Sequence, residues 1–242
     1  MSKRGDGELA IENTFGKIKK IDEAMRHIKD QTLLMYGGFG GVGTSPLLID
    51  EIIKKNVKEL TLIGNDSGFP QIGIGRVICN GQAKKMITTH IGSNPVAGKL
   101  MTEGKLEIEF SPQGTLAERI RAGGTGLGGV LINVGLGTII EEGKEIIQVD
   151  NKSYLLEKPL RAEVGIVYAK AADTFGNLIY DKTARNFNPL VAKASDVTIV
   201  HAEEIVPLGE LNPEEIITPG VYVDIIVTGK GGEWKWVWEQ EN

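Results

Sequence analysis

The stretch TLLMYGGFGGVGTSPLLIDEIIKK, residues 32–55, joins a short apolar run to an amphipathic pattern through a glycine-rich segment. Ser45 is a favourable helix N-cap and Pro46 fits the first helical position, so a helix is predicted to begin only after the glycines. Leu48, Ile49 and Ile52 then supply one apolar helix face. A strand, a glycine loop and a helix in this order predict a unit of a parallel α/β sheet.

Strand and helix signals keep alternating beyond this unit. Apolar strands are predicted near residues 60–64, 85–88, 105–110 and 130–134, with helices at 95–102 and from Leu116. Further strand signals follow at 145–149, 154–157, 164–169, 178–180 and 197–200, without a linker or a recognisable repeat. The sequence therefore predicts an α/β fold with a largely parallel sheet, helices on both of its faces, and a β-rich second portion.

The chain divides into three segments by composition. Residues 1–16 are polar and aperiodic and form an N-terminal extension, residues 17–228 form the α/β domain, and residues 229–242 form a tail that contains tryptophan. The domain is expected to open with a helix over residues 17–29, because apolar residues recur there at helical spacing. In the tail, tryptophans at 234, 236 and 238 have the period of a strand, which predicts a packing role on one face.

Composition narrows the function classes. A net charge of −5 over 242 residues argues against nucleic acid or an anionic membrane as the main partner. The single cysteine, Cys79, is interpreted as a small buried hydrophobe, and no disulfide is needed. No apolar run approaches the length of a membrane span, so a cytoplasmic protein is expected. His27, His90 and His201 lack the spacing of metal ligands, and no metal site is predicted.

The glycine-rich segment has competing interpretations. Residues 38–43 match G-x-G-x-x-G after a strand, with Asp66 as a possible ribose ligand, so an NAD-dependent oxidoreductase is one candidate. In the dinucleotide motif, however, the third glycine lies inside the helix, whereas here Thr44 to Pro46 separate the last glycine from the helix. The alternatives are a flexible loop with bare amides, suited to a pantetheine chain or phosphates, and a packing turn without a ligand.

A second segment, SPQGTLAERIRAGG at residues 111–124, leads from a strand into a helix. Thr115 and Glu118 have the spacing of a capping box, and Gly123 can end the helix. Gln113 is then expected in the turn just ahead of the helix N-terminus. Its side-chain amide can donate to developing negative charge there, or it can simply satisfy the backbone of the turn.

These segments resemble the α half of the family I CoA-transferases, the group of succinyl-CoA:3-oxoacid and acetate/butyrate–acetoacetate enzymes. The resemblance is carried by residues 30–46, by residues 111–124 and by ARNFNP at residues 184–189, in that order. VGLGT at residues 134–138 is similar to a further turn of the family. Three positions depart from the usual pattern: Gln31, Asn133 and Thr183. The likeness extends from about Lys17 to Val227 and implies the CoA-transferase fold.

The resemblance implies a transferase that moves CoA between a short-chain acyl-CoA and a free acid, with acetate, butyrate or acetoacetate groups. In the family, a glutamate of the β subunit attacks the thioester and becomes a glutamyl–CoA thioester. No matching glutamate is found here, so a β subunit must supply it, in an expected α2β2 complex. Gln113 matches the oxyanion-stabilising glutamine. CoA is a substrate, and no cofactor is expected to be bound permanently.

The resemblance also assigns the glycine-rich segment to CoA binding. The residues concerned are Gly37, Gly38, Phe39, Gly40, Gly41, Val42 and Gly43. Arg185 and Asn188 either contact CoA or the partner chain, or stabilise a turn. A non-catalytic effector-binding module of related fold is a further alternative, since similar folds serve both purposes.

Overall fold

The computed structural model describes residues 12–233, and its strands form two sheets. The strands are β1 Leu33–Tyr36, β2 Leu60–Ile63, β3 Ala83–Thr88, β4 Glu107–Phe110, β5 Val130–Ile132, β6 Ile146–Val149, β7 Lys152–Glu157, β8 Ala162–Asp173, β9 Leu178–Ile179, β10 Ser195–Val206 and β11 Ile225–Val227. The main sheet has eight strands in the order β11-β10-β8-β1-β2-β3-β4, with β9 beside β8. All pairings along that order are parallel, and only β9 is antiparallel.

Helices cover both faces of the main sheet, as predicted. The helices are α1 Ile21–Ala24, α2 Pro46–Lys55, α3 Ile74–Cys79, α4 Pro95–Thr102, α5 Gln113–Thr125 and α6 Asn188–Lys193. The first four pack on one face and the last two on the other. Side chains of β1 alternate between these faces, since Leu34 and Tyr36 belong to the first core and Met35 to the second.

The β-rich second portion is also confirmed. Strands β5, β7 and β6 form a separate antiparallel sheet, and β8 to β11 complete the main one. Arg119 of α5 joins the two sheets: its Nη1 donates to Glu109 of β4 at 3.0 Å, and its Nε lies 3.7 Å from the carboxylate of Glu157 in β7. Arg119 and Glu157 are buried, and the two ion pairs connect α5 to both β4 and β7.

Several local predictions are wrong. Residues 17–29 do not form one helix: Ile18 is extended and bridges to Ile226, and helical structure is confined to α1 and a 3₁₀ turn at Met25–His27. Ile18 therefore pairs with the edge of the sheet, although the spacing of apolar residues predicted a helix there. Cys79 ends α3 and is exposed, so it is not a buried hydrophobe. The predicted tryptophan strand and residues 1–11 lie outside the described residues.

Helix α5 differs from its prediction at both ends. It begins at Gln113 with Pro112 as N-cap, and no side chain caps it. Thr115 lies inside the first turn, buried, and its hydroxyl has no partner in the described part of the chain. At the other end Gly123 stays inside the helix, where the Leu160 carbonyl leaves no room for a side chain, and Gly126 ends the helix with a φ of +74°.

No helix within residues 12–233 combines the length and the apolar character needed to cross a membrane.

Candidate active site

A cavity lies at the carboxyl ends of the central strands, where parallel α/β sheets usually bind ligands. Its volume is about 430 Å³. The loops after β1, β2 and β3 and the first residue of α5, which follows β4, contribute to its wall, which consists of Phe39, Gly40, Asn65, Asp66, Phe69, Thr89, His90, Ser93 and Gln113. The structure therefore brings the glycine-rich segment and Gln113 into one site, although they are far apart in sequence. A larger groove of about 840 Å³ lies at the opposite edge of the sheet, away from both motifs.

The glycine-rich segment forms a tight, anchored turn. Phe39 and Val42 pair across it through two backbone hydrogen bonds of 3.0 Å. The amides of Gly37, Gly38 and Gly40 donate to the carbonyl of Ile166, to Asn186 and to Asp66. Within residues 12–233, only the amides of Gly41 and Gly43 in this segment have no acceptor. The expectation of a flexible loop with bare amides is therefore wrong for most of its amides.

Two asparagines of the third motif hold this turn in place. Asn186 accepts from the Gly38 amide at 3.0 Å and donates to the Val42 carbonyl at 2.9 Å. Asn188 is fully buried and donates to the Gly43 carbonyl at 2.9 Å. A Cβ at Gly37 would overlap the Asn188 carboxamide, which explains why a glycine is needed there. Of the roles left open for Asn188, the structure supports stabilisation of the turn.

The loop after β2 repeats the turn that follows β1. Residues 68–73 read GFPQIG, beside GFGGVG at residues 38–43. Phe69 and Ile72 pair across their turn as Phe39 and Val42 do. Both phenylalanines line the cavity. The sequence analysis missed this short repeat, which the shared G-F-x-x-V/I-G pattern could have revealed.

Asp66 does not occupy the role of a free ribose ligand. It is buried, and its carboxylate accepts from the amides of Gly40 and Gly68 and from the Asn65 side chain, each at 2.8 Å. Tyr36 donates its hydroxyl to the Asp66 carbonyl at 2.6 Å. Burial raises the pKa of Tyr36 well above its ordinary value, and the nearby Asp66 carboxylate adds to this, so the hydroxyl remains a donor. Asp66 thus joins the two repeated turns.

The start of α2 also departs from a dinucleotide-binding loop. The helix begins at Pro46, and the Ser45 hydroxyl accepts from the Leu48 amide at 3.0 Å, as predicted. The last glycine of the motif, Gly43, therefore lies outside the helix. Together with the saturated carboxylate of Asp66, this geometry disfavours an NAD site.

Gln113 is the first residue of α5, not part of a turn ahead of it. Its side chain is exposed to the cavity, and its Nε2 lies 3.4 Å from Oδ1 of Asn65. The helix N-terminus adds the partial positive charge of its free amides. An amide donor at this position can stabilise an anion that forms in the cavity.

The histidines have separate positions. His90 lines the cavity, and His27 lines the groove at the opposite edge. His201 is buried, with Nδ1 3.0 Å from the Ser45 hydroxyl and Nε2 2.9 Å from the Gly229 carbonyl. Burial lowers its pKa, although the Gly229 carbonyl and Glu203 oppose that shift. Among residues 12–233 no group of His, Cys, Asp or Glu side chains is arranged to hold a metal ion.

The cavity also contains polar residues that sequence analysis did not assign to a site. Asn65, Thr89 and Ser93 belong to loops without a recognised motif, and His90 was considered only as a metal ligand. A neighbouring cavity of about 530 Å³ shares Phe39 and is lined by Lys182 and Arg185.

A parallel sheet with polar loops gathered at its carboxyl edge defines an α/β protein that binds or converts a ligand. The chain belongs to the coenzyme A transferase family, whose model matches residues 18–229. A probable coenzyme A transferase subunit alpha of Bacillus subtilis (strain 168) is 55% identical over 226 residues, which are 93% of this chain and 99% of that relative. The acetate CoA-transferase subunit alpha of Escherichia coli (strain K12) is 45% identical over 214 residues, or 88% and 97% of the two chains.

A solved structure shows the same fold. The acyl-CoA transferase of E. coli O157:H7, in a thioester complex with CoA, matches with a TM-score of 0.79 at 22% identity. The match covers 88% of this chain and 47% of that one, so this chain spans about half of it. The predicted family, its α-subunit type and the fold class are confirmed. The comparisons support neither an NAD-dependent oxidoreductase nor an effector-binding module.

Proposed function

We propose that this chain forms the oxyanion-stabilising half of a two-subunit CoA-transferase active site. The observation that carries the proposal is the Gln113 amide, which opens into the cavity at the N-terminus of α5 beside the glycine-rich turn. Asp66 is the one carboxylate that the described residues place on the cavity wall, and three N–H groups already occupy it. This agrees with the family resemblance, which implies that the nucleophilic glutamate belongs to the partner β subunit.

The proposed reaction needs no redox partner. The partner's glutamate attacks the acyl-CoA carbonyl, and the C–S bond breaks to give an acyl–glutamyl anhydride and CoA thiolate. The thiolate then attacks the glutamyl carbonyl, which releases the donor acid and leaves a glutamyl–CoA thioester. The acceptor carboxylate reverses these two steps. Each attack places negative charge on a carbonyl oxygen, and Gln113 is proposed to donate to that oxygen.

The substrates are proposed to be short-chain monocarboxylic acyl groups of the acetyl, butyryl or acetoacetyl kind. The Phe39 and Phe69 rings on the cavity wall suit a small apolar chain, and a relative is named for acetate. The turn from Gly37 to Gly43 is proposed to contact CoA, which is a substrate and not a resident cofactor. An α2β2 complex and a cytoplasmic location complete the proposal.

The test is Gln113→Ala, assayed in complexes reconstituted with the β subunit. Because the amide would act mainly in the transition state, kcat should fall by on the order of 10²–10³, with a much smaller change in KM for acyl-CoA. Gln113→Glu should be at least as impaired, since a carboxylate repels the oxyanion. Gln148→Ala, on an exposed position of β6, is the matched control and should retain full activity. A fall of less than about tenfold for Gln113→Ala would refute the oxyanion role.

A further inference from the structure

The side chain of Asp66 determines how its neighbour Asn65 must be oriented. All three groups that contact the Asp66 carboxylate are N–H donors: the Gly40 amide, the Gly68 amide and the Asn65 side chain. The atom of Asn65 that faces Oδ2 of Asp66, at 2.8 Å, must be the Nδ2 group, since a carbonyl there would oppose a second acceptor. Asn65 is 3% exposed, so water does not offer its side chain a competing arrangement.

The orientation of Asn65 in turn determines that of Gln113. With Nδ2 turned to Asp66, the Oδ1 of Asn65 faces Gln113 at 3.4 Å and can only accept. Gln113 must therefore present Nε2 to it. The nitrogen of a primary amide carries two hydrogens, so one N–H is directed at Asn65, and the other has no acceptor among residues 12–233. At 3.4 Å the contact is longer than the usual range of about 2.7–3.2 Å, as is common at sites before a substrate is bound.

We propose that Asn65 is a positioning residue that keeps an N–H of Gln113, and not its carbonyl oxygen, available to the reacting carbonyl. This inference rests on the proposed function of Gln113 and adds the group that orients it. A glutamine amide is nearly symmetric in shape, and the flipped form would place an acceptor beside the developing oxyanion. The Asp66–Asn65–Gln113 chain disfavours that form, because in the flipped amide the Gln113 carbonyl oxygen would face the Oδ1 of Asn65, and two acceptors would meet.

The main chain of Asn65 is held independently of its side chain. Its carbonyl accepts from the hydroxyl groups of Thr88 and Thr89 at 3.0 and 2.7 Å and from the Thr89 amide at 3.0 Å. Asn65→Ala should therefore leave the loop folded and the complex assembled. Asn65→Asp preserves the size of the side chain but places a second carboxyl group against the Asp66 carboxylate, so it removes the neutral N–H donor of this link without a cavity.

The experiment is steady-state kinetics on reconstituted complexes of Asn65→Ala, Asn65→Asp, Gln113→Ala and the Asn65→Ala/Gln113→Ala double variant. Asn65→Ala and Asn65→Asp should each lower kcat by about tenfold, the effect of one neutral hydrogen bond, with KM for acyl-CoA nearly unchanged. In the Gln113→Ala background, loss of the Asn65 side chain should change kcat by less than about twofold, since the group it orients is gone. Asn80→Ala, at the C-terminal end of α3 away from the cavity, is the control and should behave like the wild type.

The outcomes separate the two proposals. If Gln113→Ala loses activity while both Asn65 variants retain wild-type kcat, the positioning role is refuted and the function of Gln113 stands. Multiplying penalties in the double variant would also overturn it, because Asn65 would then act by another route. If Gln113→Ala itself retains kcat, the proposed function fails and the inference falls with it.

Discussion

Asn188 and Gly37 are predicted to be strongly coupled in stability. The Asn188 side chain donates to the carbonyls of Gly43 and Ala184, both at 2.9 Å, and accepts from the Tyr168 amide at 3.0 Å. Asn188→Ala removes these three bonds and should cost about 3 kcal/mol, at about 1 kcal/mol for each bond. For a chain of this length that lowers Tm by roughly 6–12 °C.

Gly37→Ala acts on the same group. Its Cβ would overlap Oδ1 of Asn188, so the carboxamide has to leave its place and gives up the same three bonds. The single variant should therefore also cost about 3 kcal/mol. In the Asn188→Ala background the obstructing atoms are absent, and Gly37→Ala should add only about 1 kcal/mol or less. The coupling energy is then about 2 kcal/mol.

Urea unfolding of the purified chain, followed by circular dichroism, measures the four stabilities of this cycle. Gly98→Ala is the matched control, because a Cβ on Gly98 of α4 meets open space, and its effect should simply add to that of Asn188→Ala. If the costs of Gly37→Ala and Asn188→Ala add within about 0.5 kcal/mol, then contact with Asn188 is not the reason that a glycine is needed at position 37.

Two further predictions concern the turn and the buried histidine. Gly40 and Gly81 have φ angles of +59° and +64°, so alanine at either position should lower the free energy of unfolding by about 1–2 kcal/mol. Only Gly40 borders the cavity, so only Gly40→Ala should raise KM for acyl-CoA in the reconstituted enzyme. Equal KM values for the two variants would mean that the turn serves packing alone. Burial lowers the pKa of His201 below its ordinary value of 6.5, so its contribution to stability should be complete above that pH and should decline as the pH falls below it. When the urea midpoint is measured between about pH 7.5 and 5, His201→Gln should make its decline with falling pH shallower than in the wild type. An unchanged pH dependence would contradict this role of His201.

The local features of the fold were predictable because their causes are local. Ser45 and Pro46 specify where α2 begins: the Ser45 side chain accepts from the Leu48 amide, and Pro46 has a fixed φ angle. All three residues lie within four positions of the sequence. Helix α5 was predicted less well. Thr115 has good capping chemistry, but it is buried at the first turn, and packing of α5 against the sheet moves the start of the helix to Gln113.

The composition of the site depended on distant contacts and was only partly predictable. Two of its members, the glycine-rich turn and Gln113, follow from motifs. Asn65 and His90 join them only because β1, β2, β3 and β4 are neighbours in the sheet, an order that single residues do not encode. The same holds for Asn188, whose bond to the Gly43 carbonyl spans 145 residues.

The most direct test of the account is to locate the covalent intermediate. The purified chain, its β subunit and the reconstituted complex are each incubated with acetyl-CoA and examined by intact-protein mass spectrometry. We expect a CoA adduct on the β subunit of the complex, none on this chain, and no CoA transfer by this chain alone. An adduct on this chain, or robust turnover in the absence of the β subunit, would contradict the proposal that the partner supplies the nucleophile while this chain supplies Gln113.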